Sequence, residues 1–306
     1  MCRLRFYQSS YAADFTAEGE DAADFLQSQF SNQLQPFASG RCTYGLWLNA
    51  KGKVQADAWV LQTGEDSFRI LSEHSDGVAL RAHLERHIVA DEVSIEAEPT
   101  KCYGLSLIGP TAADLLTQIG FIVPGEGQYT SKEQTILFCG RRSALPVYEI
   151  IFPQVDVFTA VKKQVEQAGA EAASTSWIEA QRIAIGIPRV PQEIGPEDLP
   201  GEAGLVGHEV RLDKGCFLGQ EVVARMHNVG RPRRGLFRVS GQGKPPGVPA
   251  PINNEEGSAA GTLRTSFSVD STWEGVALLK LHQAEKGATL SIKNNPLQIL
   301  EPLRMR

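Results

Sequence analysis

Lys214-Gly215-Cys216-Phe217-Leu218-Gly219-Gln220-Glu221, continued by Val222-Val223-Ala224-Arg225, is the most distinctive stretch of the 306-residue chain. Cys216 lies between Gly215 and Gly219, residues that tolerate backbone conformations closed to others. Lys214 stands two positions before it, and a neighbouring cation favours thiolate. From Val222 the run reads as a helix, whose positive amino end would favour thiolate further. Cys216 therefore has two readings. One is a reactive thiol; the other is a small residue in a tight turn, because free cysteine is among the most buried side chains.

After this stretch the composition changes. Residues 241–257 are dense in Gly and Pro, and short alternating runs follow at 262–267, 276–281, 289–292 and 298–300. That rhythm predicts a small β-barrel or sandwich. Before the stretch, Ala22, Phe25, Leu26 and Phe30 share a helical face, with acids in the first turn. Tyr44, Leu46 and Leu48 alternate as in a strand, Asn49-Ala50-Lys51-Gly52 signals a turn, and residues 54–61 complete a hairpin. A helical stripe through Leu80, Leu84 and Ile88 predicts a helix over residues 76–88, and others start near Ala112 and Val157. Residues 93–97, 103–108, 136–138 and 147–152 read as strands, and 175–184 as a helix with Ser174 or Thr175 as N-cap. Residues 188–207 form a polar, Pro-rich loop. This mixture predicts α+β layers rather than a doubly wound parallel sheet. The boundary is expected near residues 230–235, giving one region over 1–230 and a terminal domain over 231–306.

With 42% apolar and 22% charged residues, the chain is neither disordered nor a disulfide mini-protein. The net charge of −6 argues against a wholly basic nucleic-acid binder. Five cysteines without a CxxC pair signal neither a zinc knuckle nor a disulfide framework. There is no apolar run of roughly 20 residues and no secretory leader, so a cytoplasmic protein with free thiols and no membrane partner is expected. His83 and His87 share a helix face without the HExxH pattern or a third ligand, and no metal site is expected. His208 and His227 flank Cys216 in sequence, which leaves a Cys–His nucleophile pair to look for.

The octet from Lys214 to Glu221 resembles the K-G-C-[YF]-x-G-Q-E signature of YgfZ-type folate-binding proteins, relatives of the glycine-cleavage T-protein, an aminomethyltransferase. Four further segments resemble the family in order. They are Gly19 to Phe30, Leu48 to Val54, Arg182-Ile183 with Gly186-Ile187-Pro188, and Glu202-Ala203-Gly204-Leu205. The resemblance implies two interleaved α+β, ferredoxin-like lobes of the T-protein type around a central folate channel, followed by a small C-terminal β-barrel. It implies tetrahydrofolate, or a one-carbon-substituted form, as cofactor. It also implies a role in the synthesis or repair of iron–sulfur enzymes, including tRNA-modifying ones, as clients. Lys214 and Cys216 fall on the family's functional lysine and cysteine, whose chemistry the motif does not define.

Folate chemistry indicates which side chains to seek. A pterin presents an N–H and an amine on one edge, which a carboxylate accepts as a pair. Its ring needs an apolar or aromatic slot and its glutamyl tail needs cations. Glu202 is the first candidate for the pterin edge and Asp57 the second. Trp47 and Tyr44 are candidate walls, Arg225 a candidate for the tail, and Gln220 and Glu221 further folate contacts within the signature. Arg225, Arg231, Arg233, Arg234 and Arg238 form the one basic cluster, which suits RNA phosphates or a polyglutamate tail but lacks interleaved aromatics.

The hairpin turn departs from the T-protein pattern. T-proteins carry G-G-[IV]-x-D-D after their turn, whereas this chain reads Gly52-Lys53-Val54-Gln55-Ala56-Asp57, with Ala56 in place of the first acid. A missing carboxylate removes a proton acceptor, which argues for an accessory folate-binding protein over an aminomethyltransferase. Two alternatives remain: a folate-dependent one-carbon transferase or demethylase, and a tRNA- or protein-binding module without folate chemistry.

Overall fold

The computed structural model describes residues 3–97, 102–285 and 288–304. In chain order the first half contains β1 (Arg5–Ser10), β2 (Ala13–Glu18), α1 (Ala22–Gln29), β3 (Cys42–Leu48), β4 (Val54–Gln62), β5 (Ser67–Ser72), α2 (Gly77–Glu85) and β6 (Ser94–Ala97). Then come β7 (Tyr103–Ile108), α3 (Ala112–Gln118), β8 (Tyr129–Lys132), β9 (Thr135–Cys139), β10 (Val147–Phe152), α4 (Val155–Gln167), β11 (Glu171–Ala172) and α5 (Thr175–Ala184). A short 3-10 turn at Pro200–Ala203 and α6 (Gln220–Asn228) lead to the last strands. These are β12 (Arg234–Gln242), β13 (Ala250–Asn254), β14 (Ala259–Val269), β15 (Thr272–Lys280), β16 (Leu290–Ile292) and β17 (Asn295–Pro302).

The strands sort into two mixed α/β lobes and a closed six-stranded barrel. The first sheet runs β3-β4-β5-β2-β6 and the second β11-β1-β7-β10-β9-β8. The lobes interleave because β1 leaves its sequence neighbours to pair with β7 and, in parallel, with β11. The barrel closes in the order β12-β15-β14-β13-β16-β17, with β12 pairing β17. Among the described residues no helix is long and apolar enough to cross a membrane.

Local chemistry accounts for the elements. Phe25 and Leu26 of α1 pack with Phe15, Trp47 and Phe68 into the first lobe's core, each such burial contributing about 1.5–3 kcal/mol. The Asp76 carboxylate caps α2 through the N–H groups of Val78 and Ala79 at 2.8 and 3.0 Å, and Ser174 caps α5 through Trp177 N–H at 3.2 Å. The α2 stripe predicts helix through Ile88, but the helix stops at Glu85. His87 and Ile88 instead bond three residues back, to Leu84 and Glu85, in a tightened last turn. Strands β1, β2, β5, β8, β11, β12 and β13 add to those expected, since short runs such as Arg5–Ser10 give little periodicity to read.

Candidate functional site

The hairpin turn and the signature, far apart in the chain, meet in the structure. A Cβ added to Gly219, at φ +81°, would lie 2.4 Å from Asn49 O and 2.9 Å from Gly52 Cα. Only glycine lets the turn after β3 seat against the start of α6. The signature loop is also tied to the end of α1. Leu218 N–H donates to Ser28 O at 2.9 Å, and Gln27 Nε2 donates to Lys214 O at 3.2 Å.

Lys214 makes further ties of the same kind. Its ammonium is buried and donates to the carbonyls of Gln27 and Phe30, the latter at 2.5 Å. A cation at the carboxyl end of a helix is favoured by the dipole. Burial nevertheless pulls the lysine from 10.5 down to about 7. Cys216 is exposed, whereas the Lys214 ammonium is bonded to the end of α1. His208 and His227 line a separate cavity with Met226 and Val223, a wall to which Cys216 does not belong.

Other expected folate contacts are also placed elsewhere. Glu202 accepts from Arg234 at 2.8 and 2.9 Å and from Leu199 N–H at 2.8 Å, which makes it the clasp of the 3-10 turn to β12 rather than an open acceptor. Trp47 is fully buried against Phe30, ring centres 4.9 Å apart, because its strand position faces the lobe core. Gln220 bridges Phe217 N–H and Leu212 O within the loop, at 3.3 Å each. Glu221 and Arg225 are exposed on α6.

Asp57, by contrast, lies on the wall of a recess of about 90 Å³ between the lobes. Its carboxylate accepts three hydroxyl groups: Tyr44 at 2.7 Å, Ser75 at 2.6 Å and Ser72 at 2.9 Å. Burial, then the Asp57 charge, pushes the Tyr44 hydroxyl well above its ordinary value and keeps it a donor. Tyr44 and Trp59 meet edge to face, 5.3 Å between ring centres, and the Arg141 guanidinium covers the Tyr44 ring at 3.8 Å. The recess continues through Glu73, His74 and Arg189 into an open cleft of about 790 Å³, so the two together have the size of a small-molecule site.

The rest of the lining is charged and mostly paired. Arg142 joins Glu149 and Glu73 at 2.6 Å each, and Glu149 also accepts from Ser106 at 2.7 Å. Arg182 of α5 bridges Glu179 and Glu193, and Arg189 pairs with Glu179. His74 is neutral at pH 7: burial first, and the Arg189 charge next, draw it down to about 4. Two donors are left over. Arg141 Nη1 and Arg189 Nε are buried without a hydrogen-bond partner, though both residues line the recess. A buried unpaired donor is costly, and an acceptor on a bound molecule would satisfy it. Arg141, Arg142, Glu179 and Arg189 were not expected from the sequence, where the only advance signal was the family-like segment around Arg182.

Comparison with known proteins agrees with this architecture. Residues 5–130 match the GCVT N-terminal domain and residues 233–306 the CAF17 C-terminal beta-barrel domain. The tRNA-modifying protein YgfZ of Edwardsiella ictaluri is 26% identical over 230 residues, covering 73% of this chain and 67% of the relative. An aminomethyltransferase of Caldanaerobacter subterraneus is 23% identical over 313 residues, covering 95% and 82%. The crystal structure of the glycine cleavage system aminomethyltransferase T from Bartonella henselae superposes with a TM-score of 0.80 at 17% identity, covering 99% of this chain and 86% of that one. That likeness establishes a shared fold.

Proposed function

Because the chain joins a GCVT N-terminal domain to a CAF17 C-terminal beta-barrel domain, we propose that it binds tetrahydrofolate in the recess around Asp57 and acts as a folate-dependent accessory factor for iron–sulfur enzymes, including tRNA-modifying ones. The observation that carries the ligand is the recess itself. It combines a carboxylate held in place by three hydroxyls, aromatic walls and two unpaired arginine donors. Asp57 would take an amine of the pterin edge, Trp59 would flank the ring, and Arg141 and Arg189 would meet an acceptor group. Bound tetrahydrofolate supplies a reduced pterin whose nitrogens carry one-carbon groups. The residues of this chain bind and orient it: the three hydroxyls keep the Asp57 carboxylate fixed, and the neutral His74 adds no charge. Cys216, exposed on the anchored loop, is the residue available to a client protein.

A second reading is aminomethyl transfer, which the relatives' names raise. It is disfavoured by Ala56, which packs with Leu80 in the first lobe's core and leaves Asp57 as the one carboxylate of β4. Titration with tetrahydrofolate, followed by tryptophan fluorescence from Trp59 and by calorimetry, tests the ligand. Quenching that saturates is expected, and should need more folate in Asp57→Asn. Absence of any signal at millimolar folate would sink the proposal. Turnover of a methylated amine with folate would move the assignment to the transferase. The client role is tested in cells without the protein, where iron–sulfur tRNA-modifying activity should fall and return with the wild-type chain.

A further inference from the structure

A second cavity, of about 270 Å³, lies between the 3-10 turn region and α6. It shares no lining residue with the recess around Asp57, so a ligand here is a separate matter from folate there. Val223, Met226, His227 and Gly230 reach it at helical spacing from one side; Pro200 and Val206 face them from the other. Its walls are apolar, glycines at 201, 204 and 230 leave room between them, and the exposed imidazoles of His208 and His227 stand at its edge.

The surroundings are basic in a chain of net charge −6. The structure divides the arginine cluster into two kinds. Arg234 pairs with Glu202 and Asp198, and Arg238 with Glu274 and Glu301. Arg225, Arg231 and Arg233 are exposed and have no partner among the described residues. Arg231 and Arg233 bracket Pro232, which lines the cavity. An apolar slot edged by stacking imidazoles and free guanidinium groups suits a flat ring carrying phosphate. The carboxyl end of α6 also leaves carbonyls without intrahelical partners, which accept from the amines of a base.

We propose that this cavity takes one unstacked base of a single-stranded RNA, with the adjoining phosphates on Arg231 and Arg233. The base lies against Met226 and Val223 between the two imidazoles. The phosphates supply affinity, and the slot makes the strand single.

Fluorescence anisotropy of the full chain with a short, fluorescein-labelled, mixed-sequence single-stranded RNA tests this. Binding is expected at low salt and should weaken as salt rises. Met226→Trp and, from the opposite wall, Val206→Trp should each reduce affinity by about tenfold. Arg231→Ala with Arg233→Ala should reduce the salt slope by between about one and two. Circular dichroism melting identifies a filled variant that has lost its fold, and the other then decides. RNA binding unchanged in both folded tryptophan variants would overturn the proposal, as would no binding at low salt. AMP competing as well as the RNA would overturn the strand and assign the slot to a free nucleotide.

Discussion

The Tyr44 hydroxyl donates to the Asp57 carboxylate at 2.7 Å across the β3–β4 hairpin, where Tyr44 sits opposite Trp59 and Asp57 opposite Leu46. The two are diagonal neighbours on one face, the geometry in which long side chains reach each other between strands. Tyr44→Phe keeps the wall and removes one of three donors, so folate affinity should fall by less than about tenfold, consistent with a bond of about 1 kcal/mol. Asp57→Asn removes the charge that all three hydroxyls address and should cost about 2 kcal/mol, or some thirtyfold, in calorimetry. Equal effects of the two substitutions would contradict this division.

Lys214 ties the signature loop to α1 and gives stability a defined pH dependence. Its folded value is about 7 against an ordinary 10.5. Between those values the unfolded chain holds a proton that the folded chain has released, so stability rises with pH across that window. Below about 7 both states are charged, and the full burial penalty applies. Urea denaturation across the window should show this rise, and Lys214→Met should remove its contribution. A rise unchanged in that variant would show that other groups produce it.

Arg182 carries the charge balance beneath the recess. Glu193 is fully buried and Glu179 nearly so, and both depend on this guanidinium. Arg182→Met takes the guanidinium from buried Glu193, while Glu179 keeps Arg189, and should lower stability by about 3–5 kcal/mol. Adding Glu193→Gln should recover part of that loss, because one stranded charge disappears. A single variant that denatures at the wild-type urea concentration would refute the assignment.

Cys216 is exposed, Cys42 and Cys102 are buried, and Cys139 is half-buried. Iodoacetamide on the native chain should therefore label Cys216 ahead of those three, as read by peptide mass spectrometry. Cys216→Ala should leave the melting temperature nearly unchanged, since surface substitutions usually fall within about 0.5 kcal/mol. Failure of that variant to restore client activity would support a thiol function, and full restoration would exclude it.

Much of the architecture was legible in the chain. The hairpin of β3 and β4 alternates clearly, α1 carries its stripe, and the signature with its companion segments implied lobes and barrel together. The site was less legible, because its chemistry comes from residues far apart in sequence. Asp57 and Tyr44 share a hairpin and could be paired by strand register. Arg141, Arg142 and Arg189 reach the recess only through packing of one lobe on the other. The partner of Glu202 was hidden for a related reason: Arg234, 32 positions later, is oriented by the barrel, and nothing local announces that it occupies the carboxylate. Lys214 stands two positions before Cys216 in sequence, yet its ammonium bonds to the end of α1.

The pairing of β1 with β7 and β11 matters for synthesis on the ribosome. Arg5 is made well before its register partners, Ile108 and Glu171. The first sheet, from β2 to β6, can assemble while β1 waits as an unsatisfied edge. A fragment ending before β7 therefore displays a strand without a sheet, and a fragment starting after it lacks an inner strand. Separate expression of the two halves should yield aggregation-prone pieces.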